Sequence, residues 1–243
     1  MGGSDYVYVV KSSDIAKLKA EPPHGSTAEQ ILGKVFEEEY SFANYIYERT
    51  IYGGGWISRD FARKVAARLR AAGVYSPELV ARAYRSYAAL LREKVTGTKP
   101  RTVFRKFDDN IYVAAQPDLC NYDEDPPVYY EVKMYQLNDY ARAQAGVFAW
   151  VLEEPVVLIG LVEDGEGGGR VRAEREVVNP PDDLAAFVGM ARDALAARLM
   201  ELGEEQLFYT IYDQLIENVK QRWSLTWQWD EEDEWPGSGR GRG

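Results

Sequence analysis

The chain has 243 residues, of which 46% are hydrophobic and 17 are tyrosines, a composition typical of a globular core and not of a disordered segment. Its single cysteine, Cys120, excludes a disulfide framework, and its single histidine, His24, excludes zinc sites built from several histidines. The net charge of −10 by itself disfavours a nucleic-acid partner.

The N-terminal part of the chain is predicted to be mainly helical. A short strand at 5–10 precedes a helix from about 26 to 49, and a second helix is expected at about 58–72. A third helix opens at Ser76, whose side chain is suited to cap it, with Pro77 at the first helical position.

In this third helix, the spacing of apolar residues predicts a stripe that faces the core. The stripe consists of Val80, Tyr84, Tyr87 and Leu91. Arg82, Arg85 and Arg92 fall largely off the stripe, so we expect them to face water or a ligand.

The rest of the chain alternates between strands and helices. Apolar runs predict strands at 102–107, 111–115, 128–134, 155–163 and 170–178. Helices are expected at 138–152, after Pro181 to about 202, and at 204–222. This order predicts an α/β fold with a mixed central β-sheet flanked by helices. Residues 1–222 are expected to form one domain with an inserted helical region at 58–95, and residues 223–243 a separate tail.

A carboxylate pair and a lysine in the middle of the chain point to a metal site. Glu131 and Lys133 are two apart on a predicted strand, so both side chains project from the same face, whereas Val132 points the other way. Asp118 precedes them by thirteen positions. Two carboxylates suit a hard cation such as Mg²⁺ or Mn²⁺, and a nearby lysine can orient an attacking water.

The segments Gln116-Pro117-Asp118 and Tyr130-Glu131-Val132-Lys133 resemble the motif of the PD-(D/E)xK nuclease superfamily. The run from Tyr140 through Gln144 to Phe148 is similar to a helix of its RecB-type members, and the segment 33–37 to the first helix of the superfamily. RecB-type enzymes frequently carry a histidine where Glu37 falls, so this chain departs from them there. With only one cysteine, it also departs from members that hold an iron–sulfur cluster with four cysteines.

The resemblance implies a restriction-endonuclease-like fold and a role for each matching residue. Asp118 and Glu131 would be metal ligands, assisted by Glu37 and by the carbonyl of Val132. Lys133 would be the catalytic lysine. The remaining candidates are Gln144, which would contact a phosphate or order the lysine, and the weaker Tyr140. The alternative is structural: carboxylates that satisfy turns, a surface lysine paired with Glu131, and an ordinary helix-surface amide.

The charge of the chain is unevenly distributed. From Ser58 to Lys106 there are thirteen Lys and Arg against three Asp and Glu, so this segment carries +10 and the remainder −20. A locally basic face can attract phosphates even on an acidic protein, because salt screens charges beyond about 8 Å. We therefore expect the helices of 58–95 to grip a nucleic-acid backbone through Arg59, Arg63, Arg82, Arg85 and Arg92; the alternative is a pair of solvated helices.

The tail combines tryptophans with a run of acidic residues at 223–236, which would suit a protein partner or packing onto the chain itself. No apolar run approaches the length of about 20 residues that spans a bilayer, and the first residues do not resemble a signal peptide. The expected location is therefore the cytoplasm, without membrane contact.

These features lead to the expectation of a metal-dependent nuclease that hydrolyses DNA with Mg²⁺ or Mn²⁺. Two alternatives stay open. The first is a catalytically inactive protein of nuclease fold that serves as a nucleic-acid-binding or complex-forming subunit. The second is a nuclease that acts on RNA.

Overall fold

The computed structural model describes residues 8–49, 55–108, 111–164, 169–182, 186–187, 189–194 and 196–197. The predicted helix at 204–222 and the tail at 223–243 lie outside these residues, and so does the side chain of Arg59. Within the part of the chain that is described, no helix is both long enough and apolar enough to cross a membrane.

The described residues alternate between helices and strands much as predicted. The strands are β1 (Tyr8–Lys11), β2 (Val103–Asp108), β3 (Ile111–Ala115), β4 (Leu119–Asn121), β5 (Val128–Lys133), β6 (Val156–Asp164) and β7 (Arg170–Val178). The helices are α1 (Ser12–Lys19), α2 (Thr27–Arg49), α3 (Gly55–Ala71), α4 (Pro77–Arg92) and α5 (Asp139–Leu152). Parts of 186–197 are also helical, where a helix was expected after Pro181. Only α1 and β4 have no counterpart in the sequence prediction.

The mixed α/β class is confirmed, but the strands form two mixed sheets where one central sheet was expected. In the first, here the central sheet, the order is β4-β5-β6-β7, with β5 parallel to β6 and the other neighbours antiparallel. In the second, the small sheet, the order is β1-β3-β2, with β1 parallel to β3.

The division between the sheets falls between β3 and β4. The chain leaves the small sheet after Ala115 and enters the central sheet at Leu119. Pro117 lies between them and is buried. Because proline has no N–H to donate to a strand ladder, it interrupts pairing at this point. Asp118 therefore stands at the seam between the two sheets.

Helices cover both faces of the central sheet. Alternate residues of its strands, including Tyr130, Ile159 and Leu161, join one hydrophobic cluster with residues of α2, α3 and α4. The residues between them, including Leu158, join a second cluster with α5, the small sheet and Phe187. Glu131 and Lys133 belong by strand alternation to the α5 face.

Four aromatic rings fix α2 against its helical neighbours. The Phe61 and Tyr87 rings stack with centroids 4.6 Å apart, and the Tyr40 ring lies edge-on to Tyr87 at 5.6 Å. Phe36 lies edge-on to Phe61 at 5.7 Å. Such ring pairs stabilise beyond the area that they bury. They hold α2, and with it the position of Glu37, against α3 and α4.

The buried stripe predicted for α4 is partly wrong. Tyr84 is 44% exposed, whereas Ala83 and Tyr87 are buried. The helix buries its small residues because they let it approach its neighbours closely, and this rotates the larger Tyr84 outward. The predicted start is confirmed: Ser76 Oγ accepts a hydrogen bond from the Leu79 N–H at 3.1 Å, and Pro77 follows it.

Candidate active site

One cavity of about 550 Å³ gathers most of the residues singled out in the sequence. It is bounded by α2, the end of β5 and α5, with part of α4 at one side. The predicted site residues that line it are Glu37, Arg82, Asp118, Glu131, Val132, Lys133 and Gln144. These residues are separated by up to 107 positions along the chain, so the fold alone brings them together.

Glu131 and Lys133 form a close pair inside this cavity. Lys133 Nζ lies 2.5 Å from Glu131 Oε1, and the two side chains are only 15% and 4% exposed. Burial lowers the pKa of Lys133, but the charges of Glu131 and Asp118 outweigh this effect and raise it, so the lysine stays charged. The pairing named in the structural alternative is thus present, but it lies on a buried face and not on the surface.

Gln144 holds the other side of the lysine. Its Oε1 accepts a hydrogen bond from Lys133 Nζ at 2.9 Å. Gln144 is positioned by α5, whose start is fixed because Asn138 Oδ1 accepts from the Ala141 N–H at 2.9 Å. The ammonium of Lys133 is therefore fixed by two partners on different elements.

Asp118 is buried at the seam between the sheets and is tied to β5. Its Oδ2 accepts a hydrogen bond from the backbone N–H of Val132 at 2.7 Å. This bond sets Asp118 beside the strand that carries Glu131. Burial and the charges of Glu131 and Glu37 raise the pKa of Asp118 well above its ordinary value.

Glu131 carries the least satisfied atom of the site. Its Oε2 is buried and has no hydrogen-bond partner. Burial raises the pKa of Glu131, although the neighbouring charge of Lys133 lowers it in part. A buried carboxylate oxygen without a partner is costly, and a bound cation would remove that cost.

Glu37 reaches the same cavity from α2, while its neighbours point elsewhere. Glu37 Oε1 lies 2.7 Å from Lys99 Nζ, whereas Glu38 and Glu39 both pair with Arg68 of α3. Successive helix residues diverge by about 100°, so the three carboxylates cannot face one site. The expectation that Glu37 is the one directed toward the site agrees with this arrangement.

The donor set fits a hard cation only in part. Asp118 and Glu131 offer buried carboxylate oxygens, one of them unpartnered, and such ligands suit Mg²⁺ or Mn²⁺. Within the described ranges, however, no three His, Cys, Asp or Glu side chains stand together as a metal-binding group. Glu37 does not complete a three-carboxylate cluster as expected, because it is turned to Lys99.

The arginines expected to contact nucleic acid are largely engaged by the protein itself. Arg82 lines the cavity, donates to the Met134 carbonyl at 2.6 Å, and lies 3.3 Å from Glu29. Arg85 lies 2.6 Å from Glu163 at the end of β6. Of the four arginines whose side chains are described, Arg82 alone lines the cavity.

The other candidates of the basic segment and of α5 lie away from the cavity wall. Arg92 donates to the Val171 carbonyl at 3.2 Å, which ties α4 to β7. Arg63 is exposed and lies 2.7 Å from Asp60 on its own helix. Tyr140 is half-buried. Burial raises the pKa of its hydroxyl, the charge of Lys133 lowers it, and the charge of Glu131 raises it, so Tyr140 lies near that pair.

Several residues of the site have no role in the sequence prediction. Gln116 and Tyr135 line the cavity, and His24 stands exposed at its edge. Gln116 belongs to the segment matched to the nuclease motif, so its position was a usable signal. Lys99 gave no such signal, because its partner Glu37 lies 62 positions away.

No known family model matches the sequence, and no curated protein matches it. Among solved structures, the chain is similar to the protein named SSO0001, with 12% sequence identity and a TM-score of 0.39. The likeness covers 81% of this chain and 78% of the other. A likeness of this degree establishes no common function, so any function has to be argued from the site itself.

Proposed function

We propose that this chain is a metal-dependent nuclease that hydrolyses DNA phosphodiester bonds. The observation that carries the proposal is the unpartnered, buried Oε2 of Glu131, beside Asp118 and Lys133 in one cavity. Most buried polar atoms in folded proteins have a hydrogen-bond partner, and a cation would supply one to this carboxylate oxygen. The restriction-endonuclease-like fold and the cytoplasmic location expected from the sequence belong to the same proposal.

Asp118 and Glu131 would hold the cation, and Glu37 would join them after leaving Lys99. One or two carboxylates with several waters and substrate phosphate oxygens form the usual environment of Mg²⁺, so Glu37 would be an additional ligand. When bound, the cation supplies a Lewis acid beside the phosphodiester. The carbonyl of Val132 stays a candidate ligand from the resemblance alone.

Lys133 would act on the attacking water and on the phosphate. Its ammonium is held at one place by Glu131 and Gln144, at 2.5 Å and 2.9 Å. A charge that is fixed in advance stabilises developing negative charge without reorganisation, and it does so most strongly in a cavity with little water. Gln144 serves this role indirectly, by positioning the lysine.

Purified protein with Mg²⁺ is expected to cleave DNA, and Lys133→Met is expected to reduce the rate roughly 100-fold or more. Methionine keeps most of the side-chain volume, so the variant removes the charge without opening a large void. Lys19→Met, which removes an exposed lysine at the end of α1, is the matched control and should cleave like wild type.

Single-stranded, duplex and branched DNA should be tested side by side, with RNA of the same sequence. Equal rates for wild type and Lys133→Met on every substrate would remove the proposal. Cleavage of RNA in preference to DNA would keep the site assignment and change the substrate. Chelation of the metal should abolish cleavage in either case.

A second candidate is a binding subunit of the same fold without activity. Glu131 and Glu37 already have lysine partners, and the described residues contain no ready-made group of three metal ligands. Titration calorimetry with Mn²⁺ separates the two candidates. Binding that Asp118→Asn weakens supports the enzyme, whereas salt-sensitive DNA affinity without metal binding supports the subunit.

A further inference from the structure

The segment that carries Lys99 is fastened to the strand next to Asp118. The Thr98 N–H donates to the Cys120 carbonyl at 3.0 Å, and the Cys120 N–H donates to the Thr98 carbonyl at 2.8 Å. On the far side of Lys99, Gln116 Nε2 donates to the Pro100 carbonyl at 3.0 Å. The backbone on both sides of Lys99 is therefore fixed independently of what its side chain contacts.

Gly97 makes this attachment possible. Its φ is +138°, a conformation that side chains rarely adopt, and a Cβ there would lie 2.4 Å from the Cys120 carbonyl oxygen. Only glycine lets the two backbones come this close. The two backbones thus come into close contact directly before Lys99. On the other strand, the bridged residue Cys120 lies two positions after Asp118.

The Lys99 side chain ends at the acidic residues of the cavity. Its Nζ lies 2.7 Å from Glu37 Oε1, and the two side chains are 39% and 37% exposed. Lys99 is therefore a cation within the field of the proposed metal ligands and also open to solvent.

We propose that Lys99 is a displaceable counter-ion of the site, which pairs with Glu37 when no metal is bound and with a substrate phosphate at the cavity rim when a metal takes Glu37. This inference rests on the proposed nuclease function. A carboxylate that becomes a ligand of a divalent cation no longer attracts an ammonium as strongly. The long, flexible side chain of lysine can then turn its three donors toward another anion.

The exposure of the pair distinguishes this role from a purely structural ion pair. Exposed lysine–carboxylate pairs contribute little to stability, so Glu37 and Lys99 are not needed to hold α2 in place. The contacts of Phe36 with Phe61 of α3 and of Tyr40 with Tyr87 of α4 already do so. Lys99 can therefore change partners without disturbing the helix.

The test compares wild type, Lys99→Met and Lys99→Arg, with Lys19→Met as the control for loss of one exposed lysine. Mn²⁺ affinity is measured by calorimetry without nucleic acid. Binding of a fluorescent single-stranded oligothymidylate is measured by anisotropy in Ca²⁺, at several salt concentrations. Ca²⁺ takes oxygen ligands but does not hold the strict octahedral geometry of Mg²⁺, so it serves here as a binding probe.

Lys99→Met should bind Mn²⁺ about two- to fivefold more tightly than wild type, because no ammonium competes for Glu37. It should bind the oligonucleotide about tenfold more weakly, and its salt dependence should be shallower by about 0.7 in log–log slope. Lys99→Arg keeps the charge and should retain oligonucleotide affinity within about threefold of wild type.

The outcomes distinguish failure of the nuclease proposal from failure of the proposed role of Lys99. Wild type that binds neither Mn²⁺ nor the oligonucleotide overturns the nuclease proposal, and this inference with it. Wild type that binds both, while Lys99→Met binds both equally well, overturns the inference alone. Circular dichroism establishes that each variant is folded, and Lys99→Gln replaces Lys99→Met should the latter fail to fold.

Discussion

Two lysine–glutamate pairs each place their glutamate at the same cavity, and their geometry is nearly the same while their surroundings differ. The Nζ–Oε1 distances are 2.5 Å for Lys133 and Glu131 and 2.7 Å for Lys99 and Glu37. The first pair is almost fully buried, whereas both members of the second are more than a third exposed. A buried charge that loses its partner is costly, but an exposed one finds water instead.

The difference in burial suits the two pairs to different roles. The buried pair can change partners only when another charge replaces the lost one, which suits groups that must stay in place. The exposed pair can separate at little cost, which suits groups that exchange partners during binding. The Nζ–Oε1 distances alone do not distinguish the two pairs.

The largest expected effect comes from breaking the buried pair on one side. Glu131→Leu leaves the Lys133 ammonium buried with Gln144 and without its carboxylate, and we expect it to lower the free energy of unfolding by about 3–5 kcal/mol. Urea denaturation followed by circular dichroism measures the change.

The double variant Glu131→Leu/Lys133→Met is the control for this experiment. Removing both charges leaves neither uncompensated, so we expect it to recover most of the lost stability. A double variant as unstable as the single one would show that loss of packing, and not the isolated charge, is responsible.

A smaller effect is expected when Lys99 keeps its charge but loses its fixed backbone. Gly97→Ala places a methyl group 2.4 Å from the Cys120 carbonyl oxygen, which should cost about 2–3 kcal/mol of stability. Gly169→Ala is the matched control, since nothing lies within 4 Å of its added methyl group. Equal denaturation midpoints for the two variants would contradict the close crossing at Gly97.

The smallest effect is expected from breaking the exposed pair. Lys99→Met should change the free energy of unfolding by less than about 1 kcal/mol, because exposed pairs are well solvated once separated. Thermal denaturation beside Lys19→Met measures this difference. A loss comparable to that of Glu131→Leu would remove the distinction between the two pairs.

The features that depend on short-range periodicity could be predicted from the sequence. Glu131 and Lys133 share a face because strand side chains alternate, and this holds wherever the strand lies. The strand bounds at 111–115 and 170–178 agree with the structure for the same reason. The position of Gln144 beside Lys133 came from the resemblance, since no local rule connects a strand with the following helix.

What was missed depends on long-range packing. The pairing of Lys99 with Glu37 spans 62 positions, and no spacing rule reaches that far. The strand β4 has three residues, too few for alternation to be visible. The spacing from Val80 assigned Tyr84 to the buried stripe, whereas the packing of α4 against its neighbours buries Ala83 instead. The division into two sheets falls at Pro117, and the sequence does not show with which strands its neighbours pair.

The position of Pro117 between the two sheets also determines where Asp118 lies. The chain passes from the small sheet to the central sheet at Pro117, and Asp118 is the next residue. The Val132 N–H donates to that carboxylate from the central sheet, and Gln116, just before Pro117, donates to the Pro100 carbonyl. A ligand bound by Asp118 would therefore contact the chain at the point where it passes from the small sheet to the central sheet.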